Sequence, residues 1–131
     1  MKKPISLLFL LMASFGCFAQ KDSGARVVHI IPEPVSLKVG QGYFRLSGST
    51  KIVFTNEQTS EIATMMTGML NIPTGYHLLA KTGKEANSNA IILRINNTPD
   101  SILGKEGYTL QVTSKKIIIA ANQPHGLFYG M

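Results

Sequence analysis

Polar and apolar residues alternate along this chain with two periods, and the first change, from strand to helix, comes near residue 55. After a polar stretch at Gln20 to Gly24, Val27-Val28-His29-Ile30-Ile31 is a short apolar run of strand length. Pro32-Glu33-Pro34 then imposes an extended segment, because each proline fixes its own φ and biases its predecessor away from helix. Val35-Ser36-Leu37-Lys38-Val39 alternates apolar and polar, the mark of a half-buried strand. Gly40-Gln41-Gly42 turns the chain, Tyr43-Phe44-Arg45-Leu46 returns as a hairpin partner, and Lys51-Ile52-Val53-Phe54 is a further strand.

From there the spacing becomes helical. Ile62, Met65, Met66, Met69 and Leu70 fall at i, i+3, i+4, i+7 and i+8, one face of a helix, and core packing is the reading that spacing supports for the methionines. Thr55 with Gln58 fits a capping box, and Glu57 and Glu61 lie where the helix dipole favours anions. Pro73 restricts Ile72 and predicts an end near Asn71. Gly75 to Asn89 is mostly polar loop, interrupted by Tyr76-His77-Leu78-Leu79. Ala90-Ile91-Ile92-Leu93-Arg94-Ile95 is a nearly continuous apolar run and predicts a strand central in its sheet. Asn96 to Gly104 is rich in turn formers. Tyr108, Leu110 and Val112 share one face of the next strand, Thr113-Ser114-Lys115 turns, and Lys116 to Ala120 pairs back antiparallel.

Asn122 or Gln123 can cap a last helix, with Pro124 in its first turn. Together these elements predict an α+β fold: a largely antiparallel sheet with helices packed on one face and a last helix cut short at the C-terminus. A helix of some eight residues does not hold itself in water, where about 12–15 are needed. Its apolar residues Leu127, Phe128 and Met131 must therefore pack on something. That partner is expected beyond the chain, so the fold is expected to be marginal and prone to aggregate. Gly126 and Gly130, four apart, would let the helix approach a strand or another helix closely.

The beginning of the chain carries an address. Lys2 and Lys3 precede an apolar run from Ile5 to Phe15, and Cys17-Phe18-Ala19 before Gln20 resembles a small-x-small cleavage site. The run is shorter than the about 20 residues a membrane span needs. Residues 1–19 read as a signal peptide, 20–26 as a flexible leader and 27–131 as one α+β domain. The protein is then exported, to the periplasm, the cell surface or the medium. Cys17, the only cysteine, also stands where a lipoprotein's acylated cysteine would stand, but Ser14 and Phe15 depart from a lipobox. No internal disulfide or cysteine metal site can form. The net charge of +6 includes Lys2 and Lys3, and the remaining cations are scattered, so no nucleic-acid surface is expected.

Little in the chain resembles a reaction centre. His29, His77 and His125 lack metal-ligand spacing. The acids beyond the leader are Glu33, Glu57, Glu61, Glu85, Asp100 and Glu106, with Asp22 within it, and no pair stands out as the two carboxyl groups of a glycosidase. There is no nucleophile elbow and no phosphate-binding glycine loop. No catalytic, cofactor-binding or metal-binding residue is assigned, and no cofactor is expected.

With these residues in place, the chain resembles the N-terminal non-catalytic domain of glycoside hydrolase family 20, the β-N-acetylhexosaminidases. The similarity rests on Ile31-Pro32-Glu33-Pro34, then Glu106-Gly107-Tyr108-Thr109-Leu110-Gln111-Val112, then Ile117-Ile118-Ile119-Ala120-Ala121, then Gly126-Leu127-Phe128-Tyr129-Gly130-Met131, in that order. It spans roughly residues 28–131. The resemblance implies a (β/α)₈ barrel beyond this domain, as its partner and the holder of the active site. It also implies substrate-assisted retaining hydrolysis of terminal N-acetylhexosamine, in which an Asp orients the 2-acetamido group and the adjoining Glu is acid and base. No Asp-Glu dipeptide occurs here, so no catalytic residue can be carried over and the chain alone is expected to be inactive. Two alternatives stay open. One is the front domain of a family 84 N-acetylglucosaminidase or a glucuronidase. The other is a free-standing glycan-binding module using Tyr43 or Tyr76, disfavoured because the chain has no Trp and most Tyr and Phe sit at core-type positions.

Overall fold

The computed structural model describes residues 28–84 and 86–131. The expected signal peptide and leader, with Cys17, Val27 and Glu85, lie outside them. The chain divides at Val39 into two units.

In the first unit, residues 28–39 form bends without strand or helix, and the Ile31-Pro32 bond is cis. The strands expected at 27–31 and 35–39 are therefore not formed in the described part. Val35 and Leu37 are exposed despite their alternation. A period-2 pattern marks a segment that would suit a sheet. It becomes a strand only when a neighbour takes up its backbone groups.

The second unit holds the fold. Its elements are β1 (Lys51–Phe54), a 3₁₀ turn (Glu57–Thr59), α1 (Ser60–Thr74), β2 (Ala80–Thr82), β3 (Ala90–Ile95), β4 (Tyr108–Val112), β5 (Lys116–Ala121) and α2 (Pro124–Tyr129). The return strand expected at 43–46 is absent. Phe44 and Leu46 instead lay their side chains against the core.

One sheet runs in the order β2-β1-β3-β5-β4. The fold is α+β as expected, but the sheet is mostly parallel, which corrects the antiparallel expectation. β1 pairs parallel with β2 and with β3, and β3 parallel with β5; the pair β4–β5 alone is antiparallel. The reason lies in the connections. α1 carries the chain from the end of β1 back to the start of β2, and the 83–89 loop returns it to the start of β3. Side-chain alternation reports which face a residue takes and is silent on strand direction. The sign of parallel pairing was the apolar run of β3, whose Ile91, Ile92 and Leu93 are all buried because both faces of the strand are covered. Each such side chain contributes about 1.5–3 kcal/mol through burial.

The main core lies between sheet and helices. Ile52, Phe54, Ile91, Leu93, Ile119 and Ala121 meet Ile62, Ala63 and Met66 of α1 and Leu127 of α2. On the opposite face Val53, Ala90 and Ile92 cluster with Ala86 and Ile118.

Three local details differ from expectation. Asn56 caps the 3₁₀ turn that leads into α1, its side chain accepting from the Gln58 N–H at 2.9 Å, in place of the Thr55 box. α1 continues through Pro73 to Thr74 and ends on Gly75 at φ 69°. Pro73 lies in the last turn, so the helix forgoes the one N–H bond that proline cannot donate and ends a residue later. Asn71 then pins the exit, its side chain accepting from Leu78 N–H at 2.8 Å and donating to Leu78 C=O at 3.0 Å. The third is the terminal helix: Leu127 is fully buried and Met131 packs on the core, so two of the three apolar residues find their partner inside the chain.

That packing depends on glycine. A Cβ at Gly126 would collide with the carbonyl oxygen of Gly107 and lie 2.8 Å from Ala121 Cβ. A Cβ at Gly130 would lie 2.6 Å from Ile119 Cγ2 and 3.0 Å from the Tyr108 ring. Gly126→Ala is therefore expected to lower stability to urea by about 1–3 kcal/mol through overpacking. Gly68→Ala on α1, with open space around it, should raise stability by about 0.5–1 kcal/mol. Equal effects of the two substitutions would contradict the close approach.

Candidate functional site

Polar chemistry is scattered in this molecule. His77 and His125 are exposed in unit two, with His125 in the first turn of α2. His29 and Glu33 line a concavity of about 410 Å³ formed by residues 28–37 of the first unit. None of the lining residues is buried. Among the described residues no three metal-ligating side chains come together. Glu57, Glu61 and Glu106 all point to solvent on separate elements or turns.

The buried polar groups are committed to the scaffold. Thr59 Oγ1 donates to the Asn56 carbonyl at 2.6 Å, and Thr50 Oγ1 donates to Asn89 Oδ1 at 2.8 Å. Asn122 accepts from Asn96 Nδ2 and Asp100 N–H and donates to the Asp100 and Gly104 carbonyls, tying the 96–104 connection to the end of β5. No buried side-chain N or O among the described residues lacks a partner.

What stands open is apolar. Of the methionines that helical spacing assigned to the core, Met66 is buried, but Met65 and Met69 are exposed, together with Ile72 one turn on. The core face of α1 is narrower than the spacing implied and is filled by Ile62, Ala63, Met66 and the half-buried Leu70. Met65, Met69 and Ile72 lie at i, i+4 and i+7, a second stripe on the same helix. Asn71, on the opposite flank, bonds to Leu78 on the approach to β2.

α2 adds its own open residues. With Leu127 turned into the core, Phe128 and Tyr129 face outward, their rings edge to face at 5.8 Å. Tyr43 and Tyr108 are also exposed, while the Tyr76 ring packs against Gly48 and the core. Aromatic residues are thus more exposed than their positions in the sequence suggested. The signal that could have found this surface is the surplus of apolar residues on α1, too many for one face. No helix among the described residues is long and apolar enough to cross a membrane.

The orientation of α1 can be tested by substitution. Met66→Ala should cost about 2–5 kcal/mol. Met69→Ser and Ile72→Ser should each stay within about 0.5 kcal/mol of the parent. Chemical denaturation of the three variants reads the difference directly, and a large loss at Met69 would place it in the core.

Comparison with known proteins identifies the scaffold. Residues 27–131 match the family described as glycosyl hydrolase family 20, domain 2. No curated protein matches. Among solved structures, the family 20 β-N-acetylhexosaminidase of Streptomyces coelicolor is similar at 28% identity and TM-score 0.65, covering 74% of this chain and 19% of that one. The N-acetyl-β-hexosaminidase of Streptomyces plicatus, solved with thio-NAglucal, is similar at 28% identity and TM-score 0.67, covering 77% of this chain and 19% of that one. The chain thus corresponds to about a fifth of each neighbour's length. These matches select family 20 over the family 84 and glucuronidase alternatives, and the chain belongs to glycosyl hydrolase family 20 as its non-catalytic domain 2.

Proposed function

We propose that this chain is the N-terminal scaffold domain of an exported β-N-acetylhexosaminidase, with the active site in a catalytic barrel that follows it. The observation that carries this reading is the apolar outer surface of the helix layer. Met65, Met69 and Ile72 of α1 and Phe128 and Tyr129 of α2 are exposed on a domain whose own core is complete without them. Exposed apolar patches of this kind mark interaction sites. The partner of this one is the catalytic barrel, and the neighbours' greater length is consistent with chain that could supply it.

The reaction of the whole enzyme is removal of terminal N-acetylhexosamine from glycans with retention, the substrate's 2-acetamido oxygen acting as nucleophile beside an Asp-Glu pair. The chain provides neither carboxylate of that pair. Its role is to seat and stabilise the barrel. Export is supported by Lys2, Lys3 and the Ile5–Phe15 run ahead of Ala19, and Cys17 offers a lipid anchor if acylated. The glycan reaches this domain only through the barrel.

The chain alone should release no chromophore from an aryl N-acetylglucosaminide, and hydrolysis by the purified chain would overturn the assignment of the active site. In the complete enzyme, Phe128→Asp should lower stability by about 2 kcal/mol or more by placing a charge in an apolar interface. The same change in the isolated chain should stay within about 0.5 kcal/mol. Equal effects in both settings would remove the outer helix surface as the docking site.

A further inference from the structure

The two edges of the sheet are built differently. β2, at one edge, is three residues long with Lys81 at its middle, a charge that discourages pairing with another strand. β4, at the other, is five residues, Tyr-Thr-Leu-Gln-Val, with no charge and no proline, and every residue is exposed. Among the described residues no strand lies beyond it. An uncharged, apolar edge of this length is a template for a further strand.

The direction of its backbone groups follows from the ladder. Thr113 N–H donates to the Lys116 carbonyl at 3.0 Å, so Thr113 and Lys116 form a hydrogen-bonded pair. Alternation along an antiparallel pair then makes Gln111↔Ile118 and Thr109↔Ala120 hydrogen-bonded. Tyr108, Leu110 and Val112 occupy the intervening positions, with their N–H and C=O groups directed away from β5. Their side chains lie opposite Ala121, Ile119 and Ile117, on the helix-covered face of the sheet. They continue that face beyond the helices, and they stand 36%, 45% and 53% exposed.

We infer that β4 pairs antiparallel with β4 of a second copy, about a two-fold axis at Leu110. Tyr108 and Val112 stand two positions to either side of Leu110. The pairing sets Leu110 against Leu110 and Tyr108 against Val112 twice, an aromatic to β-branched match of the kind that stabilises cross-strand neighbours. Thr109 meets Gln111 on the other face. No charged side chain of β4 meets its like, so nothing within the strand opposes self-pairing. The product is one continuous sheet through both copies, with the isologous contact that two-fold symmetry requires. This inference uses the sheet edge and is independent of the barrel that the outer helix surface is proposed to seat.

The test exploits the axis. Sedimentation of the purified chain over a concentration series should show a monomer–dimer equilibrium. Leu110→Lys and Leu110→Glu each place like charges opposite one another, and each should weaken self-association by at least about tenfold. An equimolar mixture of the two should recover association, because Lys then faces Glu. Hydrogen exchange adds a reading that needs no variant. The amides of Tyr108, Leu110 and Val112 should gain protection as concentration rises, while those of Thr109 and Gln111, bonded to β5, stay protected throughout. A chain that is monomeric at every concentration would overturn the inference, and so would association indifferent to both charges. A mixture of folded variants that stays apart, or protection at Tyr108, Leu110 and Val112 that ignores concentration, would also overturn it. The last result would mean that a strand of the same chain covers the edge.

Discussion

The close approach of α2 to the β4–β5 hairpin sets the rest of this structure. Gly126 lies against the Gly107 carbonyl and Ala121, and Gly130 against Ile119 and the Tyr108 ring. Without side chains at these two positions the helix sits low enough to bury Leu127 completely between β3 and β5. The same seating turns Phe128 and Tyr129 outward. Gly107 is constrained in turn, since a Cβ there would strike the Leu103 carbonyl oxygen as the chain leaves the turn before β4. The glycines of two motifs nearly twenty residues apart are thus two sides of one contact. A six-residue helix, which has no stability of its own in water, is held by what its glycines allow it to touch.

Direction within the sheet gives this contact its setting. β1, β2, β3 and β5 run parallel, and the antiparallel β4 comes last in the spatial order. Both helices pack on one face, α1 over β1 and β2, α2 over β5 and β3. The helices cover β4 only in part: Gly130 of α2 rests on the Tyr108 ring, while Leu110 and Val112, on the same face of the sheet, stand open. The exposure of these side chains therefore follows from two helices lying over a five-stranded sheet, the one nearer β4 being only six residues long.

Much of this was legible from periodicity. The boundaries of β1, β3, β4, β5 and α2 follow from apolar spacing and turn residues, and the uninterrupted apolar run of β3 placed it at the centre. The family resemblance rested on motifs whose glycines prove to touch one another. What periodicity could not supply was relational. Strand direction depends on how the connections cross the sheet, and alternation is the same for both directions. Val35 to Val39 alternates as well as any strand here and forms none, because no backbone partner meets it. The stripe on α1 contained more apolar residues than one core face could hold, and whether Met65 or Met66 pointed inward depended on the sheet it packed against. Pro73 was tolerated because it fell in the last turn, a position that depends on where Asn71 and Gly75 end the helix.

The two open apolar surfaces are separable in space, and this bears on how a scaffold domain can serve more than one neighbour. The outer helix surface faces away from the sheet, whereas the free edge of β4 lies in the plane of the sheet and at its margin. A body seated on Met65, Met69 and Ile72 leaves the outward amides of Tyr108, Leu110 and Val112 available. The two surfaces also differ in kind. The helix surface offers side chains alone, so its partner must match it in shape and apolarity. The edge offers backbone groups in a fixed register, so its partner must be an extended strand, and the side chains then select which strand. α2 borders both: its Gly130 rests on Tyr108 of the edge strand, and its Phe128 and Tyr129 belong to the helix surface. A shift of α2 would therefore be felt at both surfaces, and the glycines that fix its depth hold the two in a constant relation.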